Sequence, residues 1–327
     1  MTAPSPVALS HPHPEPRTYP LMLRTWTYAA WRPFVGLAAL IIGVFAASVV
    51  LLPLLWVTVA LDHEGSLSEA FTKTASLDHV TWQGMLYLNL SLAALVPLTW
   101  GIVRVVHRMR PRWLMSVRPG ARWRFFWACF ALAPVALLAQ IIVGSLLPTD
   151  PNDLGGSVHH LTSSTVAIGI VVLLTTPLQA MGEEYAFRGY AMQAFGSLTR
   201  RPWVAILLCS TLFALAHGVQ NAPLFIDRFA FGLMAGYVVL RTGGLEAGIA
   251  MHVWNNLVAF GFALLLGNID DTLNVTGISW WNIPLTITQN GVYLVLVLLL
   301  ARRMGLSDRT APPAEGAPVL VPTTPPV

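Results

Sequence analysis

The chain has 327 residues, 55% of them hydrophobic and only 10% charged, with a mean hydropathy of +0.63. A soluble domain carries roughly 25% charged residues, so 15 acids and 19 bases cannot coat a water-exposed surface of this size. This excludes a cytosolic globular protein and excludes disorder over most of the length. Two cysteines, Cys129 and Cys209, give neither a disulfide framework nor a thiolate metal cage.

In chain order, residues 1–30 read as a disordered, Pro-rich tail, with proline crowding and no helical period over Met1–Pro20 and no signal-peptide pattern. A membrane-crossing helix needs about 20 mostly apolar residues. Segments that meet or approach this run over Phe34–Leu61, Gln83–Val103, Phe125–Leu147 and Thr165–Met181. Four more follow at Trp203–Ala216, Leu224–Leu240, Leu245–Leu266 and Leu285–Ala301. The fourth continues as a polar helical stretch to about Phe195, and the fifth is short. Residues 305–327 form a second Pro-rich tail, crowded over Ala311–Val327. The expected architecture is all-α: a polytopic membrane bundle of about eight helices over 31–304.

Charge tests the span count independently. With the N-terminus placed inside, 17 of the 19 basic residues fall on inner segments, seven of them within Arg104–Arg124. The outer loops and span ends hold only Lys73 and Arg228, but nine acids: Asp62, Glu64, Glu69, Asp78, Asp150, Asp153, Asp227, Asp270 and Asp271. The positive-inside rule then makes both termini cytoplasmic. Arg104–Arg124 is interleaved with Trp113 and Trp123 and flanked by Trp100 and Trp127. Arginine on lipid phosphates with tryptophan at the headgroup level explains this better than a nucleic-acid surface.

Ionisable groups at membrane depth are costly and mark function by default. Here they gather in the second half: Glu183, Glu184 and Arg188, then His217, then Glu246 and His252, with Asn255 and Asn256 alongside. Glu184 and Arg188 are i and i+4 with the acid first, the favoured order for an ion pair. Glu183 lies about 100° round the helix and stays free for general-base work. His217 ends the fifth span one turn after Phe213. His252 and Asn256 share a face and carry N–H donors able to stabilise an oxyanion. Taken singly, each reads as well as a helix-packing hydrogen bonder; three helices contributing at turn spacing read as a site. Glu183, His217 and His252 are also a candidate zinc set.

Other chemistries lack their parts. There is no Walker loop, no nucleophile elbow and no pair of aspartates deep within spans. Cys209 lies off the His217 face, as a buried small hydrophobe would. The spacings Gly232/Gly236 and Gly244/Gly248 allow close helix approach within or between chains.

Glu183-Glu184-x-x-x-Arg188, Phe213-x-x-x-His217 and His252-x-x-x-Asn256, with the stretch Phe229–Leu257, resemble the three-motif signature of the CPBP family (CAAX proteases and bacteriocin-processing enzymes, also called Abi). The resemblance covers about 165–266. It implies an all-α intramembrane endopeptidase with its chamber open to the cytosolic side. Glu183 would activate water with His217, His252 and Asn256 would hold the oxyanion, and Glu184, Arg188 and Phe213 would support them. The family has been read both as metalloproteases and as metal-free glutamate proteases, so the cofactor is none or Zn²⁺.

The expected substrate is a membrane-associated protein or peptide, in a multi-pass protein of a bacterial plasma membrane, with the lipid bilayer as partner and no nucleic acid. The alternative is a non-catalytic scaffold or bacteriocin-immunity protein of the same fold; a transporter is disfavoured by the lack of an inverted repeat. Glu246 stands where the family often has an aromatic residue. The drawn boundaries put Glu183 near the inner end of its span and His217 about 14 residues into the next. Their meeting therefore requires a deeper fourth helix, or a fifth that is tilted or starts below the surface, and the segment around Pro177 and Gly182 is expected to be bent or displaced.

Overall fold

The computed structural model describes residues 12–62, 65–148, 162–266 and 269–313. Helix α1 is Trp31–Leu61, and a short amphipathic α2, Leu67–Ser76, follows it. Helix α3 is Trp82–Val105, interrupted at Ala94, and α4 is Trp123–Gly144. Helix α5 runs without a break from Ser163 to Thr199. Its α-helical part ends at Glu184, a π-helical stretch covers Tyr185–Ala191, and α-helix resumes over Met192–Thr199. Then come α6 (Pro202–Leu215), α7 (Ala222–Thr242), α8 (Glu246–Leu266), a single turn at Ile269–Leu273, and α9 (Asn282–Arg303). Among the described residues, seven helices are long and apolar enough to cross a membrane, and α6, at 14 residues, is a shorter apolar helix.

Local chemistry sets the ends. Thr81, Thr162 and Asn221 cap α3, α5 and α7 by accepting from backbone N–H groups three residues on. Gly243, at φ 68°, stops α7 in a conformation that favours glycine. Arg302 and Arg303 occupy the last turn of α9, where cations suit the helix dipole.

The connections sort onto two faces. On one, Thr18 bridges Arg309 and Ser116 bridges Gly244, while Arg24 and Tyr28 donate to the Ser197 carbonyl. On the other, Asp270 accepts from the Val80 N–H at 2.6 Å, Asn274 donates to the Leu77 carbonyl at 3.1 Å, and Asn221 donates to the Ile278 carbonyl at 2.9 Å. The first face gathers the arginine-rich segments and the second the acid-rich loops; Glu64, Asp150 and Asp153 lie outside the described residues. Because Thr18 and Arg309 meet, the chain traverses the bundle an even number of times, which counts α6 as a traverse.

The tails need correction where they are described. Tyr19, Met22 and Leu23 are fully buried in the core with Leu114, Tyr190 and Met192. The Tyr19 hydroxyl donates to the Leu114 carbonyl. At the far end the Thr310 N–H donates to the Arg17 carbonyl at 2.9 Å. Residues 12–30 and 305–310 are therefore a packed strap, ordered by tertiary burial rather than by a period of their own. Residues 1–11 and 314–327 lie outside the described set.

Glycines set close approaches between helices. A Cβ on Gly182 would stand 2.0 Å from the Leu92 carbonyl oxygen, so α5 presses on α3 at its interruption. Gly232 and Gly236 back onto Ser210 and Ile206, seating α7 on α6.

Candidate active site

The register of three helices brings the motif residues together. Gly189 of α5 lies against the Leu245 side chain at the start of α8. From that level Glu183 is six residues back and His252 seven residues on, about 10 Å along either axis. The α5–α6 hairpin adds His217: Glu183 stands 16 residues before Thr199, and His217 stands 15 after Pro202. The expectation that Glu183 sits near the inner end of its span is thus corrected. Helix α5 runs on past Met181 to Thr199, so both groups lie well back from the hairpin. Helical structure continues through Pro177, and the irregularity is the π-helical stretch just after Glu184, a form often found at functional sites.

His252 is set between the two carboxylates. Its Nδ1 lies 2.9 Å from Glu184 Oε1 and its Nε2 3.2 Å from Glu183 Oε2. Glu184 also accepts from Arg188 Nη1 at 2.7 Å, and the Glu184 and Arg188 side chains are 0% and 1% exposed. The Arg188 guanidinium lies 4.1 Å from the Phe213 ring centroid and 5.5 Å from that of Phe231, a cation–π clamp. Gly248 leaves the room: a Cβ there would stand 2.8 Å from Glu184 Oε2. Glu184 is therefore committed to Arg188 and His252, whereas the Glu183 side chain is 12% exposed and has His252 alone as a described ion-pair partner.

His217 approaches from α6. Its ring packs 4.8 Å from that of Phe213, which in turn lies 6.0 Å from His252. His217 Nδ1 is 2.7 Å from the Phe213 carbonyl oxygen. A carbonyl can only accept, so Nδ1 carries the proton and Nε2 is left as the basic nitrogen. Asn256 donates to Gln179 Oε1 at 3.0 Å. In the candidate zinc trio, His217 Nδ1 is taken by a carbonyl, which leaves Nε2, and both His252 nitrogens face carboxylates. No metal-holding group of three or more His, Cys, Asp or Glu occurs among the described residues.

Several participants lie outside the motifs. Gln179, the partner of Asn256, stands one turn before Glu183 on the same face and was legible from that spacing. Phe231, 5.2 Å from His252, has no signal that separates it from other apolar residues. Glu246, unexplained by the resemblance, is fully buried and accepts from Arg122 Nε at 2.8 Å, Nη2 at 2.6 Å and backbone N–H at 3.0 Å. Arg122 Nη1 also donates to the Thr242 carbonyl, so this pair ties the arginine-rich loop to the α7–α8 turn. Cys209 is buried and donates to the Phe187 carbonyl.

Residues 163–258 match the family described as type II CAAX prenyl endopeptidase Rce1-like. The uncharacterized protein YyaK of Bacillus subtilis is 25% identical over 214 residues, covering 62% of this chain and 71% of that protein. The potassium-binding subunit of a potassium-transporting ATPase from Desulfovibrio desulfuricans is 30% identical over 164 residues, 44% of this chain and 27% of that protein. No solved structure matches. Motif order, the matched stretch and the buried cluster agree, and over residues 163–258 this multi-pass membrane protein is similar to the Rce1-like family.

Proposed function

We propose that the chain is an intramembrane endopeptidase that hydrolyses a peptide bond of a membrane-attached protein or peptide. The observation that carries this reading is the division between adjacent carboxylates. Glu184 is sealed and paired with Arg188, while Glu183 keeps an open side, and His217 on the next helix keeps Nε2 unprotonated.

A water held between Glu183 and His217 Nε2 loses a proton to this pair as its oxygen attacks the scissile carbonyl. The carbonyl oxygen becomes an oxyanion, stabilised by N–H donors of His252 and Asn256. Those donors now rest on Glu183 and Gln179, so substrate must draw them across, a tightening expected between free and bound states. Collapse breaks the C–N bond, and the proton taken from water passes to the leaving amine. Glu184 holds His252 in position, and Arg188 holds Glu184. Every step uses the chain's own side chains, so we propose that no metal is needed.

The family's name specifies prenylated CAAX substrates; peptide-bond hydrolysis is the part carried over here. The membrane we assign is a bacterial plasma membrane. The test is cleavage of membrane-tethered peptides by purified wild type, Glu183→Gln and His252→Ala, with and without a zinc chelator. Cleavage lost in both variants and kept under chelator is the expected result. Cleavage retained by Glu183→Gln, or lost to chelator and restored by zinc, overturns the mechanism.

A further inference from the structure

The resemblance implies a chamber open to the cytosol, and the charge distribution puts the arginine-rich face in the cytosol. The structure sets these two expectations against each other. Toward the arginine-rich face the cluster is closed: Glu184, Arg188, Phe213, Leu245 and Ile249 are all buried. The Arg122–Glu246 pair and the Ser116–Gly244 bridge lie beyond them.

Toward the acid-rich face the cluster is open. His217 and its neighbours Ala216, Gly218 and Val219 are exposed. The next residues turn onto that face, where the Asn221 N–H donates to the Thr276 carbonyl at 2.8 Å. A line of amides leads the same way: Gln179 with Asn256, Asn255 with Gln289 at 3.1 Å, and Gln220 with Arg228 at 2.9 Å. Asn255, Asn256, Gln220 and Arg228 are half-buried, and Gln179 and Gln289 are buried behind them. The Asn255 carbonyl is used by Gln289, and its NH₂ has no partner among the described residues yet is not sealed off. Uncharged amides facing hydrocarbon would leave donors and acceptors unsatisfied at several kcal/mol each. A water-lined passage leaves none unsatisfied.

We propose that the Glu183–His217 cleft is entered from the acid-rich face, along this amide-lined track. With 17 of 19 bases on the opposite side, the substrate is then a polar, extended peptide stretch lying outside the cytoplasm. Amides suit such a ligand, because each pairs with backbone N–H and C=O groups without demanding a side-chain sequence. What travels the track rests on the peptidase reading; the way in does not.

The test is cysteine labelling of the full chain in intact cells, and it needs no catalytic activity. Cys129 and Cys209, both buried, are replaced by alanine. Single substitutions Lys73→Cys, Asn255→Cys and Arg303→Cys are then treated with a charged, membrane-impermeant methanethiosulfonate. Lys73→Cys and Asn255→Cys label to the same extent before and after permeabilisation, and Arg303→Cys labels only after it. Protection of Lys73→Cys with labelling of Arg303→Cys in intact cells overturns the assignment of faces. Labelling of Lys73→Cys with Asn255→Cys unreactive throughout overturns the wet track. If Asn255→Cys does not fold, Gln220→Cys at the mouth takes its place.

Discussion

The two halves of the bundle on either side of His252 treat polar groups in opposite ways. Toward the arginine-rich face, charges are buried and matched: Glu184 with Arg188, Glu246 with Arg122. The His107 ring is likewise paired with the Tyr190 hydroxyl at 2.9 Å. Toward the acid-rich face, neutral amides pair with one another, the buried Gln179 and Gln289 with the half-buried Asn256 and Asn255. A sealed half holds geometry and an open half admits water and substrate. Glu183 and His217 lie where the two meet, which is where hydrolysis needs a rigid base beside a wet cleft.

Three perturbations of the sealed half should grade by how completely they unpair a charge. Arg188→Met leaves Glu184 buried against a neutral chain and should cost about 3–5 kcal/mol, the range for breaking a buried pair. The readout is the thermal unfolding midpoint in detergent. Glu246→Gln keeps the shape but weakens charged hydrogen bonds to Arg122, for a loss of about 1.5–3 kcal/mol. It touches no reacting group, so cleavage at low temperature should persist; a variant as stable as wild type would break the idea of a clamp.

The third perturbation is pH. Burial and the nearby Arg32 charge push the His107 imidazole down to about 4, below its unfolded value near 6.5. As pH falls, the unfolded chain takes up the proton first, so stability declines from pH about 6.5 to about 4. The loss amounts to roughly 2 kcal/mol at pH 5. His107→Asn should flatten that part of the stability–pH curve; an unchanged curve would assign the decline to other groups.

How much of this was legible depends on whether the signal was local. The apolar segments and the i, i+4 pairs Glu184–Arg188 and His252–Asn256 are local, and each survives into the structure as helix or shared face. Depth is not local. The polar helical continuation to about Phe195 was legible and α5 reaches Thr199, but nothing local showed that the strap around Tyr19 and Met22 packs against its far end. That strap was invisible for the same reason: a Pro-rich segment without a period is ordered only by the core it meets. Glu246 could not be read alone, since its partner Arg122 is 124 residues away. The facing of the cleft also escaped the sequence, because it depends on which polar side chains remain exposed after packing.

The most direct test of the central claim compares the two adjacent carboxylates. Glu183→Gln and Glu184→Gln are purified side by side, and each is measured for thermal midpoint and for cleavage of a tethered peptide that the wild type cuts. The account predicts that Glu183→Gln melts like wild type while losing cleavage by about 10²–10⁴-fold, the worth of a general base. Glu184→Gln should melt lower, because Arg188 loses its buried counter-charge. Wild-type cleavage by Glu183→Gln, or the same fall in melting temperature for both variants, would contradict the division of labour on which the mechanism rests.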